Sequence, residues 1–116
     1  MAFSTLTDIN FQVEVLESEK PVLVEFYAEW SGCHHIISPG LREIGEIYRA
    51  HVKFFRINTD IYKEMANEYG VQTIPTILLF RRGQLVDHII GMVPKEVVAQ
   101  KLRKMLKPGN IMIRDS

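Results

Sequence analysis

The sequence predicts an α/β domain in which one mixed β-sheet, a βαβ unit followed by a ββα unit, is flanked by helices. Three observations predict it. "VLVEFY", residues 22–27, is a near-continuous apolar run broken only by Glu25, the pattern of a strand buried on both faces of an α/β sheet. Between it and a second such run, "VKFFRIN" at 52–58, the residues Ile37, Leu41, Ile44 and Tyr48 recur at the three- and four-residue steps of an amphipathic helix. Further on, "TIPTILLF" and "LVDHIIG" flank "RRGQ", two strands joined by a tight glycine-containing turn and therefore antiparallel.

The remaining elements follow in chain order. "TDINFQVEVLESE" reads as a short helix capped by Thr7 or Asp8, with Phe11, Val15 and Leu16 as its inner stripe. Pro39 lies inside the helix that carries Ile37 and Leu41, and predicts a kink there. Asp60 is the expected cap of a helix over "IYKEMANEYG", which Gly70 ends. Pro75 opens the first hairpin strand, where a missing N–H does least harm. Pro94 suits the first turn of a last helix whose face is Val97, Val98, Leu102, Met105 and Leu106, and "PG" at 108–109 stops it. The order predicts one domain over residues 1–107 and a tail over 108–116.

Fourteen basic and fourteen acidic side chains cancel, so no broad positive field is available to hold nucleic acid, which is not an expected partner. The apolar runs are too short for the ~20 residues that span a bilayer, and "MAFSTLTDIN" does not have the pattern of a secretory leader. A cytoplasmic protein with no membrane association is the expectation. A single cysteine, Cys33, excludes an internal disulfide and agrees with a reducing compartment.

The chain resembles the thioredoxin family from about Phe11 to Leu106, on four separate marks in order. "VLVEFYAEW" resembles that family's central strand running into its active-site tryptophan, here Trp30. "VQTIPT" resembles the loop bearing its cis-proline, here Pro75, and "RRGQLVDHIIG" its final hairpin, ending in the glycine beside the substrate groove, here Gly91. Pro39 resembles the proline of the active-site helix and fixes the register independently. In that register "WSGCHH" lies over Trp-Cys-Gly-Pro-Cys-Lys. Ser31 stands at the attacking position, Gly32 is retained, Cys33 replaces the proline, His34 the resolving cysteine and His35 the lysine.

Dithiol exchange needs an attacking thiolate and a second thiol that resolves the mixed disulfide. Serine cannot do the first at neutral pH, and imidazole cannot do the second. The resemblance therefore implies a family member with little or no disulfide-reductase turnover, acting through the groove of Trp30, Gly32, Ile74, Pro75 and Gly91 on protein or peptide clients held in extended form. The alternative is a monothiol enzyme or redox sensor in which Cys33 forms a mixed disulfide with a client, glutathione or a second copy of the chain. A helix start and a neighbouring histidine would favour its thiolate. Against these stand plainer readings: Cys33 as a small buried apolar residue, Ser31 as a helix cap, Pro75 and Ile74 as parts of the fold. A cysteine at 31 exchanged for serine in the source gene is a further alternative, disfavoured because residues 34 and 35 depart from the family as well.

The resemblance also places Glu25 beneath the resolving position, under His34. Two fates follow: a carboxylate–imidazole pair, or a Glu25 that reaches solvent while His34 points outward. Ser31, Cys33, His34 and Glu25 are the candidate catalytic residues. His34 and His35 beside Cys33 suggest zinc or copper, but adjacent side chains on a helix diverge and one chain supplies too few ligands. No metal and no cofactor are expected.

Overall fold

The computed structural model describes residues 2–29 and 37–107. Five strands, β1 (Phe3–Leu6), β2 (Val22–Tyr27), β3 (Lys53–Asn58), β4 (Thr76–Arg81) and β5 (Gln84–Ile90), form one sheet in the order β1-β3-β2-β4-β5. β1, β3 and β2 run parallel, and β4 and β5 are antiparallel to their neighbours. Three helices, α1 (Pro39–Tyr48), α2 (Glu64–Glu68) and α3 (Lys95–Leu106), cover it. Among the described residues no helix is long and apolar enough to cross a membrane.

The period-2 alternation of β2 divides the core between the two faces of the sheet. Leu23 joins Leu41, Ile44, Ile77, Leu79, Val98 and Leu102 under α1 and α3. Val22, Val24 and Phe26 join Leu6, Phe11, Val15, Ile57 and Phe80 on the opposite face, beneath α2 and the N-terminal segment. β2 is thus buried on both faces, which is why its sequence is apolar apart from Glu25.

Several elements differ from the sequence expectation for identifiable reasons. β1 has no counterpart among the expected strands: only Leu6 of its four residues is buried, so its apolar signal is weak, and pairing with β3 in the register Phe3–Phe54 to Leu6–Ile57 holds it. The first helix shrinks to a π-helical segment over Gln12–Leu16. Thr7 does cap the turn leading into it, its Oγ1 accepting from the N–H groups of Ile9 and Asn10 at 3.2 Å each.

Asp8 serves elsewhere. Its carboxylate accepts from the backbone N–H of Met65 at 3.1 Å and of Glu64 at 3.3 Å, so α2 is capped from the far end of the chain. Asp60, the expected cap, instead accepts from the N–H of Glu29 at 3.1 Å and ties down the exit of β2. Pro39 opens α1 rather than kinking it. Ser38 is extended (φ −62°, ψ 150°), and its Oγ accepts from Leu41 N–H at 3.2 Å as a side-chain cap.

The β4–β5 turn has Arg82 at φ 52° and Gly83 at φ 78°, two consecutive left-handed residues, the geometry of a primed hairpin turn. Gly83 is required twice over: a Cβ there would lie 2.5 Å from the Leu16 carbonyl oxygen. Arg82 has no such licence, and a side chain in this region costs about 1 kcal/mol. Arg81 Nη1 donates to the Met105 carbonyl oxygen and fastens this hairpin end to the last turn of α3.

Candidate functional site

The site is built where β2, β4 and β5 meet the first turns of α1 and α3. Pro75 precedes β4, and the Ile74–Pro75 peptide bond is cis. The loop before it is held by Thr76 Oγ1 donating to the Thr73 carbonyl at 2.6 Å. Gly91 follows β5 at φ 85° with open space within 4 Å of where a Cβ would stand, so its backbone conformation, not crowding, demands glycine. Its N–H donates to the Pro75 carbonyl at 2.8 Å, which locks the two turns together.

Pro75 and Gly91 open onto a cavity of about 500 Å3 whose walls are Ile37 and Leu41 of the α1 approach, Ile77 of β4, and Val93 and Val98 at the start of α3. The lining is chiefly aliphatic. Met92, 61% exposed, stands at its edge. Lys95 is on the rim, where Nζ lies 2.7 Å from Glu43 Oε1. That hydrogen bond and the carboxylate's charge raise the Lys95 pKa above its usual value, with desolvation working the other way.

Glu25 reaches the same cavity from the sheet side. It does not reach out to solvent: its side chain is 8% exposed. β2 and β3 place Glu25 and Arg56 directly opposite one another in parallel register, and Oε1 accepts from Arg56 Nε at 2.8 Å. The guanidinium also lies over the Tyr27 ring, 3.9 Å from its centroid. A buried carboxylate is tolerable only with such a partner. Sequence reasoning does not single out Arg56: β3 also carries Lys53 and Asn58, and only the strand register sets Arg56 opposite Glu25.

The structure therefore brings Glu25, Pro75 and Gly91 to one cavity. Ile74 it sends to the other face of the sheet, where the side chain packs against the cluster of Phe11 and Phe80. Trp30, Ser31, Gly32, Cys33, His34 and His35 lie outside the described residues, and so does the expected contact between His34 and Glu25. Among the described residues no three metal-ligating side chains converge.

A sheet of order β1-β3-β2-β4-β5 with helices on both faces and a cis-proline turn beside a helix start defines a protein of the thioredoxin fold. The thioredoxin family model matches residues 2–104. The chain is 42% identical over 106 residues to the thioredoxin of Pyropia yezoensis, covering 91% of this chain and 99% of that one. It is 41% identical over 105 residues to thioredoxin 1 of Nostoc sp., covering 90% and 98%. Against the chloroplastic thioredoxin M4 of Arabidopsis thaliana it is 40% identical over 101 residues, covering 87% of this chain and 52% of that one. This chain belongs to the thioredoxin family.

Proposed function

We propose that this protein recognises extended segments of client proteins at the groove bordered by Pro75 and Gly91, with little or no disulfide-reductase turnover. The observation that carries the reading is the thiol count. The chain has one cysteine, Cys33, and a mixed disulfide with a client needs a second thiol to be resolved within the protein. Recognition needs none. The cis Ile74–Pro75 bond and the bond from Gly91 N–H to the Pro75 carbonyl support it, and the aliphatic cavity behind them offers apolar surface for a client side chain. A cytoplasmic setting belongs to the same proposal.

The test is paired. Insulin reduction driven by thioredoxin reductase should run no faster than its background, while an extended client peptide lacking cysteine should bind the intact protein and bind more weakly to Gly91→Val. Repeated enzymatic turnover would overturn the reading.

A second reading is favoured by the place of the one thiol, inside the segment that the family register lays over the exchange site. There Cys33 acts singly, forming a mixed disulfide with a client, glutathione or a second copy, with Ser31, His34 and Glu25 as neighbours. Glutathionylation or dimerisation at low oxidant, lost in Cys33→Ala, is its signature.

A further inference from the structure

At the end of the domain away from Pro75, the bond from Arg81 Nη1 to the Met105 carbonyl joins the β4–β5 turn to the last turn of α3. Five cationic side chains lie within two residues of one or other end of that bond in sequence: Arg81, Arg82, Arg103, Lys104 and Lys107. Arg82, Arg103, Lys104 and Lys107 are exposed. Elsewhere among the described residues Arg49, Lys53, Arg56, Lys95 and Lys101 each have a carboxylate partner, while Lys20, Arg42 and Lys63, scattered singly along the chain, do not. Among the described residues, Arg82, Arg103 and Lys107 have none.

Helix chemistry explains part of this, since cations near the C-terminus of α3 offset its dipole. It does not explain Arg82, which belongs to the hairpin. Arg82 occupies the first of two left-handed positions, where asparagine, aspartate or glycine is the comfortable residue. A positive charge is therefore kept at the tip of the turn at a cost in backbone energy, one residue beyond the Arg81 bond that ties this turn to the end of α3.

We propose that this end of the protein is a docking surface for an acidic polypeptide segment of a partner protein, with Arg82, Arg103 and Lys107 as its principal contacts. Three features select a polypeptide. The patch is small in a chain whose charges cancel, which gives too little counterion release for nucleic acid. Val86, 49% exposed, lies near the start of β5 just beyond the turn and offers apolar contact to an interspersed aliphatic side chain, whereas Leu85, paired with Phe80, is on the face of the sheet away from α3. Among the described residues β5 is also an outer strand of the sheet, with one edge that pairs with no other strand. The surface is separate from the groove and does not depend on its function.

The experiment uses the full chain and fluorescence anisotropy with a labelled peptide of alternating glutamate and leucine. Its probes for comparison are the lysine analogue, a single-stranded oligonucleotide and vesicles of phosphatidylcholine with phosphatidylserine. The acidic peptide should bind at low salt and weaken as salt rises. Arg82→Asn should weaken it several-fold without lowering the thermal midpoint, because asparagine suits the turn. The triple variant R82N/R103Q/K107Q should weaken it about tenfold or more. Equal binding by the triple variant, no binding of the acidic peptide, or stronger binding of the lysine analogue, the oligonucleotide or the vesicles would overturn the proposal.

Discussion

Glu25 and Arg56 stand opposite one another on β2 and β3, 31 residues apart in sequence, with Oε1 2.8 Å from Nε and both side chains largely removed from solvent. Desolvating both charges costs free energy that their attraction roughly offsets, so the intact pair is close to neutral for stability. Removing one member is not. Arg56→Met should destabilise the fold by about 3 kcal/mol, whereas the double variant E25L/R56M should recover most of that loss. Urea unfolding of the two singles and the double, read as a double-mutant cycle, checks it. A double variant as unstable as Arg56→Met would show that packing around Tyr27, not the charge, is what Arg56 supplies.

Asp8 caps α2 across the fold, and the consequence is separable from Asp60. Asp8→Ala removes both carboxylate contacts to Glu64 and Met65 N–H and should cost about 1 kcal/mol, as N-cap losses do. Asp8→Asn should recover part of it. Proteolysis of native protein should become faster near α2 in Asp8→Ala. Asp60→Ala should not have that effect, because its carboxylate holds Glu29 instead.

Tyr69 gives the fold a dependence on alkaline pH. Its ring packs against Phe80 at 5.4 Å and Phe11 at 5.8 Å. Burial first, and the neighbouring Glu68 charge second, raise its pKa above the usual 10.0. The folded-state value is the higher one, so the protonated phenol is favoured by folding. Its contribution is complete below pH 10 and is lost as the pH rises through the folded value. Lys95, also raised, titrates in the same direction, from a usual 10.5. Tyr69→Phe should therefore lose only part of the decline in stability that sets in above about pH 10. The slope of urea midpoint against pH is the measurement, and an unchanged slope in Tyr69→Phe would exclude the phenol as its source.

Much of the fold is legible in the sequence because β2, β3 and β4 are apolar runs of strand length and α3 carries an amphipathic period. What is not legible is non-local. β1 is too short to show a period and exists through its pairing with β3. Asp8 caps a helix more than fifty residues away, so its own neighbourhood gives no hint. Pro39 reads as a kink because Ile37 and Leu41 share a helical period, yet the Ser38 hydroxyl starts the helix between them. At the site, Pro75 and Gly91 are readable, since a proline before one hairpin strand and a glycine after the other mark the two turns. Arg56 is not, because only strand register brings it to Glu25. Ile74 reads as a groove residue from its place beside Pro75, whereas its side chain faces the opposite core.

The hairpin turn supplies two substitutions with opposite signs one residue apart. Gly83→Ala forces a Cβ to 2.5 Å from the Leu16 carbonyl oxygen and puts a side chain at φ 78°, so strain and collision add. A loss of about 2 kcal/mol or more is expected, since a backbone oxygen cannot swing aside as a side chain does. Arg82→Asn keeps φ 52° but exchanges a residue that dislikes it for one that tolerates it. It should raise stability by about 0.5 kcal/mol. Thermal unfolding of the two variants beside the parent decides the matter: Gly83→Ala should melt lower and Arg82→Asn slightly higher. A lower midpoint for Arg82→Asn would mean that the Arg82 side chain contributes packing whose loss outweighs the relief of its backbone.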